Sequence, residues 1–157
     1  MSCTKESTEP ADIRPGPGAE PESMMQIEYA NDQASYRAGA CNIGPAEIAR
    51  RRRGGIAALG IAFASAVVLV AIGAPWWTRL FVFAPLAGGL ISLEQVRRHF
   101  CVGFAMAGIR NFGPLGDPDR VADTVDRAAD RRAALVMVAY VSAIAAVVTV
   151  VFALLPI

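Results

Sequence analysis

The strongest constraint on the fold of this chain is the distribution of its charged residues, which are absent from three long stretches. No Lys, Arg, Asp or Glu occurs in Gly54–Thr78, Leu80–Leu93 or Ala133–Ile157. A helix needs about 20 predominantly apolar residues to cross the hydrocarbon core of a bilayer. The first and third stretches exceed that length. The sequence therefore predicts membrane-spanning helices over about residues 54–75 and 133–155.

The second uncharged stretch is too short to cross a bilayer alone. It reaches the required length if Arg79 and Glu94 lie at the two membrane boundaries, with the arginine side chain reaching outward. Trp76 and Trp77 suit such a boundary, because indole rings favour the headgroup level. We therefore predict a second span over about residues 78–96, and a re-entrant segment is the alternative. The predicted fold class is all-α, an integral membrane helical bundle with three transmembrane helices.

Basic residues predict the orientation of these spans. Of the 15 Lys and Arg residues, only Arg79 lies outside two segments, one before the first span and one between the second and third. Because basic segments stay cytoplasmic, we predict a protein of the inner (cytoplasmic) membrane with its N-terminus inside and its C-terminus outside. A re-entrant second segment would place the two basic segments on opposite faces of the membrane. The distribution of basic residues therefore favours a second segment that crosses. The arginines beside the spans are candidate ligands for anionic lipid headgroups: Arg50, Arg51, Arg52, Arg53, Arg97 and Arg98.

Residues 1–40 read as a disordered tail, since they are rich in Pro, Gly and Ser and offer little apolar surface for burial. The next residues are typical of a helix start. Gly44 can end a turn, Pro45 suits the first helical position, and Glu47 lies in the first turn, where the helix dipole favours an acid. We predict that this helix continues through the arginine run into the first span.

Between the second and third spans, residues 100–112 are apolar but too short to cross, and we predict an interfacial or buried half-helix. It completes a hairpin unit over residues 41–113. Asp117 then resembles an N-cap, with Pro118 at the first helical position. The sequence predicts a polar helix that runs unbroken into the third span, a rod of about 55 Å, so that residues 114–157 form the last unit.

Small residues spaced four apart suggest where helices pack inside the bilayer, because they let two backbones approach closely. The adjacent glycines Gly88 and Gly89 strengthen this prediction, since paired glycines weaken a helix unless something packs there. The predicted packing positions are Ala58, Ala62 and Ala66 on the first span, and Ala84, Gly88 and Ser92 on the second.

Catalytic chemistry is not visible in the sequence. There is one histidine, and no Ser-His-Asp set, glycine-rich phosphate loop or pair of carboxylates within a span. The net charge of +1 gives no indication of nucleic-acid binding. Glu94, near the end of a span, is expected to pair with Arg97 or Arg98 rather than to relay protons. These observations predict that the protein is not an enzyme and that no cofactor is covalently bound.

The one reactive cluster that the sequence offers consists of Cys41, His99 and Cys101, all predicted at the cytoplasmic boundary. Neighbouring arginines would favour the thiolate of Cys101, which is the reactive form. His99 is a candidate ligand for a metal ion, a haem or a pigment. One histidine and two cysteines make an incomplete metal site, so polar surface is the simpler interpretation.

Short motifs in the first two-thirds of the chain follow a recognisable order: Asn42-Ile43-Gly44-Pro45, then Pro85-Leu86-Ala87-Gly88-Gly89-Leu90, then Cys101 and Ala107-Gly108-Ile109. This pattern resembles the YgaP-like membrane domains, a family of small inner-membrane proteins of unknown function, over about residues 41–113. The resemblance implies a two-helix hairpin and a cytoplasmic Cys101. The chain departs from the family pattern at Val102, where the family has proline, and lacks a frequent second cysteine. The resemblance implies no substrate.

These observations favour a structural or accessory membrane protein, either a subunit of a larger membrane complex or a homo-oligomer. Its expected partners are membrane lipids and other membrane-protein subunits or further copies of itself. A thiol-based sulfur or redox carrier that uses Cys101, assisted by Cys41 or His99, is the alternative. A small transporter or channel is a second alternative.

Overall fold

The computed structural model describes residues 36–113 and 115–156. It is mostly helical (72%), and three helical segments are long and apolar enough to cross a membrane. This confirms the predicted helical architecture of a multi-pass membrane protein. The elements in chain order are α1 (Pro45–Ala71), a 3₁₀ helix (Trp76–Val82), α2 (Phe83–Arg98), α3 (Val102–Ala107), β1 (Ile109–Arg110), β2 (Asp119–Arg120) and α4 (Thr124–Leu154).

Helix α1 begins where the sequence predicts. Gly44 is its N-cap, a proline occupies the first turn, and Glu47 is the acidic residue of that turn. The helix ends before Gly73, whose positive φ of 63° is a left-handed conformation that glycine adopts without steric cost. The chain then reverses into the 3₁₀ helix, which continues into α2 to give a second candidate span over Trp76–Arg98.

Helices α1 and α2 form a closely packed antiparallel hairpin. A Cβ built on Gly55 would lie 3.1 Å from the Cβ of Ser92, and a Cβ built on Gly89 would lie 2.7 Å from the Cδ2 of Leu59. Such a close approach of backbones needs residues without large side chains. Gly88, by contrast, faces open space. Of the two adjacent glycines, Gly89 therefore packs against α1 and Gly88 does not.

The predicted small-residue stripes meet different environments in the two helices. On α1, Ala62 is buried and Ala58 and Ala66 are half-buried. On α2, Ala84 and Gly88 are exposed, so these two predicted positions lie outside the contacts within one chain. The third predicted position, Ser92, does pack, since its Cβ lies 3.1 Å from a Cβ built on Gly55. Nearer the start of α2 the buried residues are Ala87 and Gly89 instead.

The start of the last long helix differs from its prediction. Asp123, not Asp117, is the N-cap, and its carboxylate accepts a hydrogen bond of 2.7 Å from the Val125 amide. The reason is that Asp119–Arg120 pairs with Ile109–Arg110 as a short antiparallel ladder. Helix α4 therefore has 31 residues and a length of about 46 Å, shorter than predicted.

The predicted half-helix over residues 100–112 is also shorter than expected. Only Val102–Ala107 is helical, and Gly108, with a φ of 69°, ends it before β1. Helix α3 packs against α4, and Phe100, Ala105, Ala134, Met137 and Val141 form the buried apolar cluster. The apolar segment after α2 is therefore part of the core that joins the hairpin to α4.

Helix α4 buries one face along its whole length. The buried residues recur every three or four positions, as expected for a single helical face. Helix α2 lies between α1 and α4, with little contact between the two outer helices. The three long helices thus form an open layer. The buried positions of α4 are Asp130, Ala134, Met137, Val141, Ala145, Thr149 and Ala153.

Helices α1 and α4 begin at the same end of the molecule, and α2 ends there. We call it the arginine-rich end.

At the opposite end, Arg79 is buried rather than reaching outward as predicted. Its Nη1 donates a hydrogen bond of 2.9 Å to the carbonyl of Leu155, and its guanidinium lies 5.8 Å from the ring centre of Phe152. A cation at this position stabilises the C-terminal end of α4, so Arg79 ties the hairpin to the last helix.

A candidate site at the arginine-rich end

Asn42 is the centre of the polar contacts that precede α1. It is fully buried, its Nδ2 donates to the Cys101 carbonyl at 3.0 Å, and its Oδ1 accepts from the Cys101 amide at 2.6 Å. Its backbone amide also donates to the carbonyl of His99, and its carbonyl accepts from the amide of Asn111. An asparagine side chain offers one donor group and one acceptor, as a peptide does. Asn42 therefore holds the segment before α1 against the segment after α2.

The neighbouring residues extend this contact. Ile43 forms a parallel bridge with Asn111, and the Gly44 amide donates to the Asn111 carbonyl at 2.7 Å. A Cβ on Gly44 would lie 2.5 Å from the carbonyl oxygen of Phe112. Only glycine fits at this position. The motifs around residues 42–45 and 101–109, which are distant in sequence, thus belong to one structural unit.

The thiol of Cys101 lies inside this unit. Cys101 has no exposed surface, and its Sγ accepts a hydrogen bond of 3.2 Å from the Phe104 amide, which caps α3. Burial raises the pKa of the Cys101 thiol, and the Phe104 amide and the charge of Arg51 oppose this only in part. The thiol form is therefore favoured. The expectation that neighbouring arginines would favour the thiolate is wrong in this structure.

Those neighbouring arginines bind a carboxylate instead. Arg97 contacts both oxygens of Glu94 at 2.7 and 2.6 Å, and the Nε of Arg98 donates to Glu94 at 2.6 Å. This confirms the predicted pairing of Glu94, which involves both arginines. Arg50 and Arg51 form longer ion pairs with Glu47 on α1, at 3.8 and 3.5 Å, and Oε2 of Glu47 has no hydrogen-bond donor among the described residues.

His99 and Cys41 do not complete a metal site with Cys101. No group of three or more His, Cys, Asp or Glu side chains suited to a metal ion occurs within residues 36–113 and 115–156. Cys41 is buried and disulfide-bonded, so its sulfur is not a thiol that could assist Cys101. His99 is half-buried. Its φ of 54° is a left-handed backbone conformation, and no other non-glycine residue of the described ranges has a positive φ.

A second polar cluster joins the segment before α1 to the start of α4. Asp130 is fully buried, and its two oxygens accept hydrogen bonds from the Gly39 amide at 2.6 Å and from the Tyr36 hydroxyl at 2.9 Å. The guanidinium of Arg110 lies 5.2 Å from the Tyr36 ring centre. Burial, and then the hydrogen bond to Asp130, raise the pKa of Tyr36.

The sequence did not identify this cluster, although one signal was present. Asp130 falls on the same helical face as Ala134, Met137 and Val141, so its position in the apolar periodicity indicated burial. The cluster also corrects the N-terminal boundary. Residues 36–40 form a turn that is tied to α4, so they do not belong to the predicted tail of residues 1–40, of which residues 1–35 lie outside the described part.

Arg52 and Arg53 differ from the other predicted headgroup ligands. Both are exposed, and neither forms an ion pair with any residue of the described ranges. They line an open groove of about 680 Å³ together with Ile48, Ile56 and His99. The structure therefore separates the six predicted arginines into four that bind carboxylates of the chain itself and two that face outward.

Comparisons with models of protein families, with curated proteins and with solved structures give no match for this chain. The resemblance to the YgaP-like membrane domains accordingly stays a prediction from its motifs.

Proposed function

We propose that this chain is a structural or accessory membrane protein that associates within the bilayer with helices of other membrane-protein subunits or of further copies of itself. The observation that carries the proposal is the open arrangement of its three long helices. Because α1 and α4 flank α2 with little contact between them, an apolar groove lies between the two outer helices.

This groove consists of two adjoining cavities of about 430 and 270 Å³. Both are lined by Phe63 and Ala66 of α1 and by Phe152 of α4, and α2 contributes Leu86 to the floor of the smaller one. The small side chain of Ala66 leaves room for a neighbouring helix. In a bilayer, helices associate through close van der Waals packing rather than through a hydrophobic driving force, so a groove of this shape favours a helical partner.

The polar residues of the arginine-rich end support the same function. The side chains of Asn42 and Asp130 bind backbone or side-chain groups of the chain, and the thiol of Cys101 is buried. Such contacts hold loops in place, and Cys101 has no exposed surface. The thiol-carrier alternative needs an accessible thiolate, which this environment disfavours.

The orientation is also part of the proposal: an inner-membrane location, with the N-terminus in the cytoplasm and the C-terminus outside. It is supported by the described basic residues of both segments, which lie at one end of the bundle, together with the cytoplasmic preference of such segments. The disulfide of Cys41 is typical of an oxidising compartment and favours the reverse orientation. The proposed orientation follows the arginines, because every Lys and Arg of the sequence except Arg79 lies in one of the two basic segments.

Native mass spectrometry after extraction in a mild detergent tests the proposed association. We expect the wild-type protein to retain a protein partner or a second copy. The Ala66→Trp variant should lose it, because the indole would fill the groove. The matched variant Ala64→Trp places the same side chain on an exposed position of α1 outside the groove and should keep the assembly. A clean monomer from wild type, or equal effects of the two substitutions, would contradict the proposal.

Replacing Cys101 with serine separates the proposal from the thiol carrier. Serine keeps an acceptor for the Phe104 amide and removes the sulfur. A structural protein should retain its assembly and its cellular function in the Cys101→Ser variant, whereas a carrier would lose function with its assembly intact.

A further inference from the structure

We propose that the groove formed by Arg52, Arg53, His99, Ile48 and Ile56 binds one anionic phospholipid, with its phosphate at the two guanidinium groups. The inference depends on the membrane location of α1 and not on the proposed accessory function. It assigns a ligand class to the part of the arginine run that no carboxylate of the described residues neutralises.

The charge of the groove supports an anionic ligand. Arg50 and Arg51 share Glu47, and Arg97 and Arg98 share Glu94. Arg52 and Arg53 are exposed and have no such carboxylate among the residues described. Guanidinium groups bind phosphate oxygens in a two-pronged geometry. Two adjacent, uncompensated guanidinium groups therefore suit a phosphate ester.

The apolar lining indicates that the phosphate belongs to a lipid. Ile56 is 57% exposed and lies one helical turn from the arginines toward the apolar part of α1, while Ile48 lies one turn to the other side. The groove thus crosses the border between the arginine run and the candidate span Pro45–Ala71. Its volume of about 680 Å³ falls within the range of about 300–1,000 Å³ that is typical of small-molecule sites. An amphiphile would place its phosphate on the arginines and its acyl chain along Ile56.

His99 adds a strained residue to the same groove. Its left-handed backbone conformation, at the C-cap of α2, is one that glycine usually occupies at this position. A side chain in this conformation brings its Cβ too close to the following carbonyl oxygen, so the backbone at His99 is strained. Strained residues often occur where their side chains act, and His99 lines the same groove as the two arginines. We assign to it a hydrogen bond to the lipid phosphate.

The experiment uses the full chain, purified in a mild detergent, with binding of defined lipids measured by native mass spectrometry. Phosphatidylglycerol should bind and phosphatidylcholine with the same acyl chains should bind more weakly. The double variant Arg52→Gln/Arg53→Gln should lose about 30-fold in affinity for phosphatidylglycerol, the equivalent of about 1 kcal/mol per arginine. The matched double variant Arg131→Gln/Arg132→Gln removes an adjacent exposed pair on α4 and should stay within about twofold of wild type.

Two outcomes would overturn the assignment. Equal losses in the two double variants would show general attraction between basic residues and anionic lipid. Displacement of the lipid by an equal concentration of glycerol 3-phosphate would show that the groove recognises a free phosphate ester and not a lipid.

The His99→Gly variant supplies an independent check. It should fold at least as stably as wild type, because the backbone strain is relieved, and it should bind phosphatidylglycerol more weakly. Unchanged lipid affinity in this variant would exclude His99 from the site.

Discussion

Replacing Asn42 with alanine should open the arginine-rich end of the bundle. The substitution removes the donor and the acceptor that bind the carbonyl and the amide of Cys101, at 3.0 and 2.6 Å. Both backbone groups belong to a residue without exposed surface. A buried polar group that loses its partner costs about 1–3 kcal/mol, so the two together cost about 2–6 kcal/mol. That is a large fraction of the free energy of unfolding of a typical domain, about 5–15 kcal/mol.

The accessibility of the Cys101 thiol reports this change directly. A maleimide reacts only when the site opens, and peptide mass spectrometry distinguishes Cys101 from Cys3 and Cys41. At fixed pH, the labelling rate of Cys101 should rise about 30-fold or more, since each 1.4 kcal/mol changes an opening equilibrium tenfold. The control is Met106→Ala, which truncates a side chain on α3 that is 46% exposed and should leave the rate near that of wild type. An Asn42→Ala protein with unchanged labelling would refute the role assigned to Asn42.

Three further predictions concern the packing and the pH response. Gly89→Ala should lower the unfolding temperature, because overpacking against Leu59 costs about 1–3 kcal/mol, whereas Gly88→Ala faces open space and should raise it through a helix-propensity gain of up to about 1 kcal/mol. Equal shifts in thermal melts would contradict the hairpin geometry. Arg79→Met removes a charged hydrogen bond worth about 1.5–3 kcal/mol, and hydrogen exchange should quicken in the last turn of α4; unchanged protection there would argue against this contact. The raised pKa of Tyr36 favours the neutral phenol in the folded state, so its contribution to stability is complete below about pH 10, the usual tyrosine pKa, and is lost as the pH rises further. Alkaline unfolding curves should show this loss in wild type and a smaller one in Tyr36→Phe, and identical curves would count against it.

The features that the sequence predicted correctly depend on local patterns. Two of the three long apolar helices follow from uncharged runs of sufficient length, and the second follows once Arg79 and Glu94 are placed at its ends. The start of α1 follows from the adjacent Gly44 and Pro45. The pairing of Glu94 with Arg97 and Arg98 follows from helical spacing of three and four residues. Each of these predictions uses residues that are close to one another in the sequence, so it needs no knowledge of the tertiary structure.

The features that the sequence missed depend on distant partners. Asn42 and Cys101 are 59 positions apart, and Tyr36 and Asp130 are 94 positions apart, and nothing in a single sequence joins such residues. The misplaced start of α4 has the same origin, since Asp117 and Asp123 are both suitable caps and only the pairing of β1 with β2 selects the second. Which of two adjacent glycines faces α1 likewise depends on how the helices dock.

The most direct test of the account is the location of the two termini relative to the membrane. Reporter fusions that are active only in the cytoplasm or only outside it can be attached to each end of the full chain. Three spans with both basic segments inside predict a cytoplasmic N-terminus and an external C-terminus. Two termini in the same compartment would contradict the three-span topology, and a cytoplasmic C-terminus with an external N-terminus would contradict the orientation inferred from the arginines.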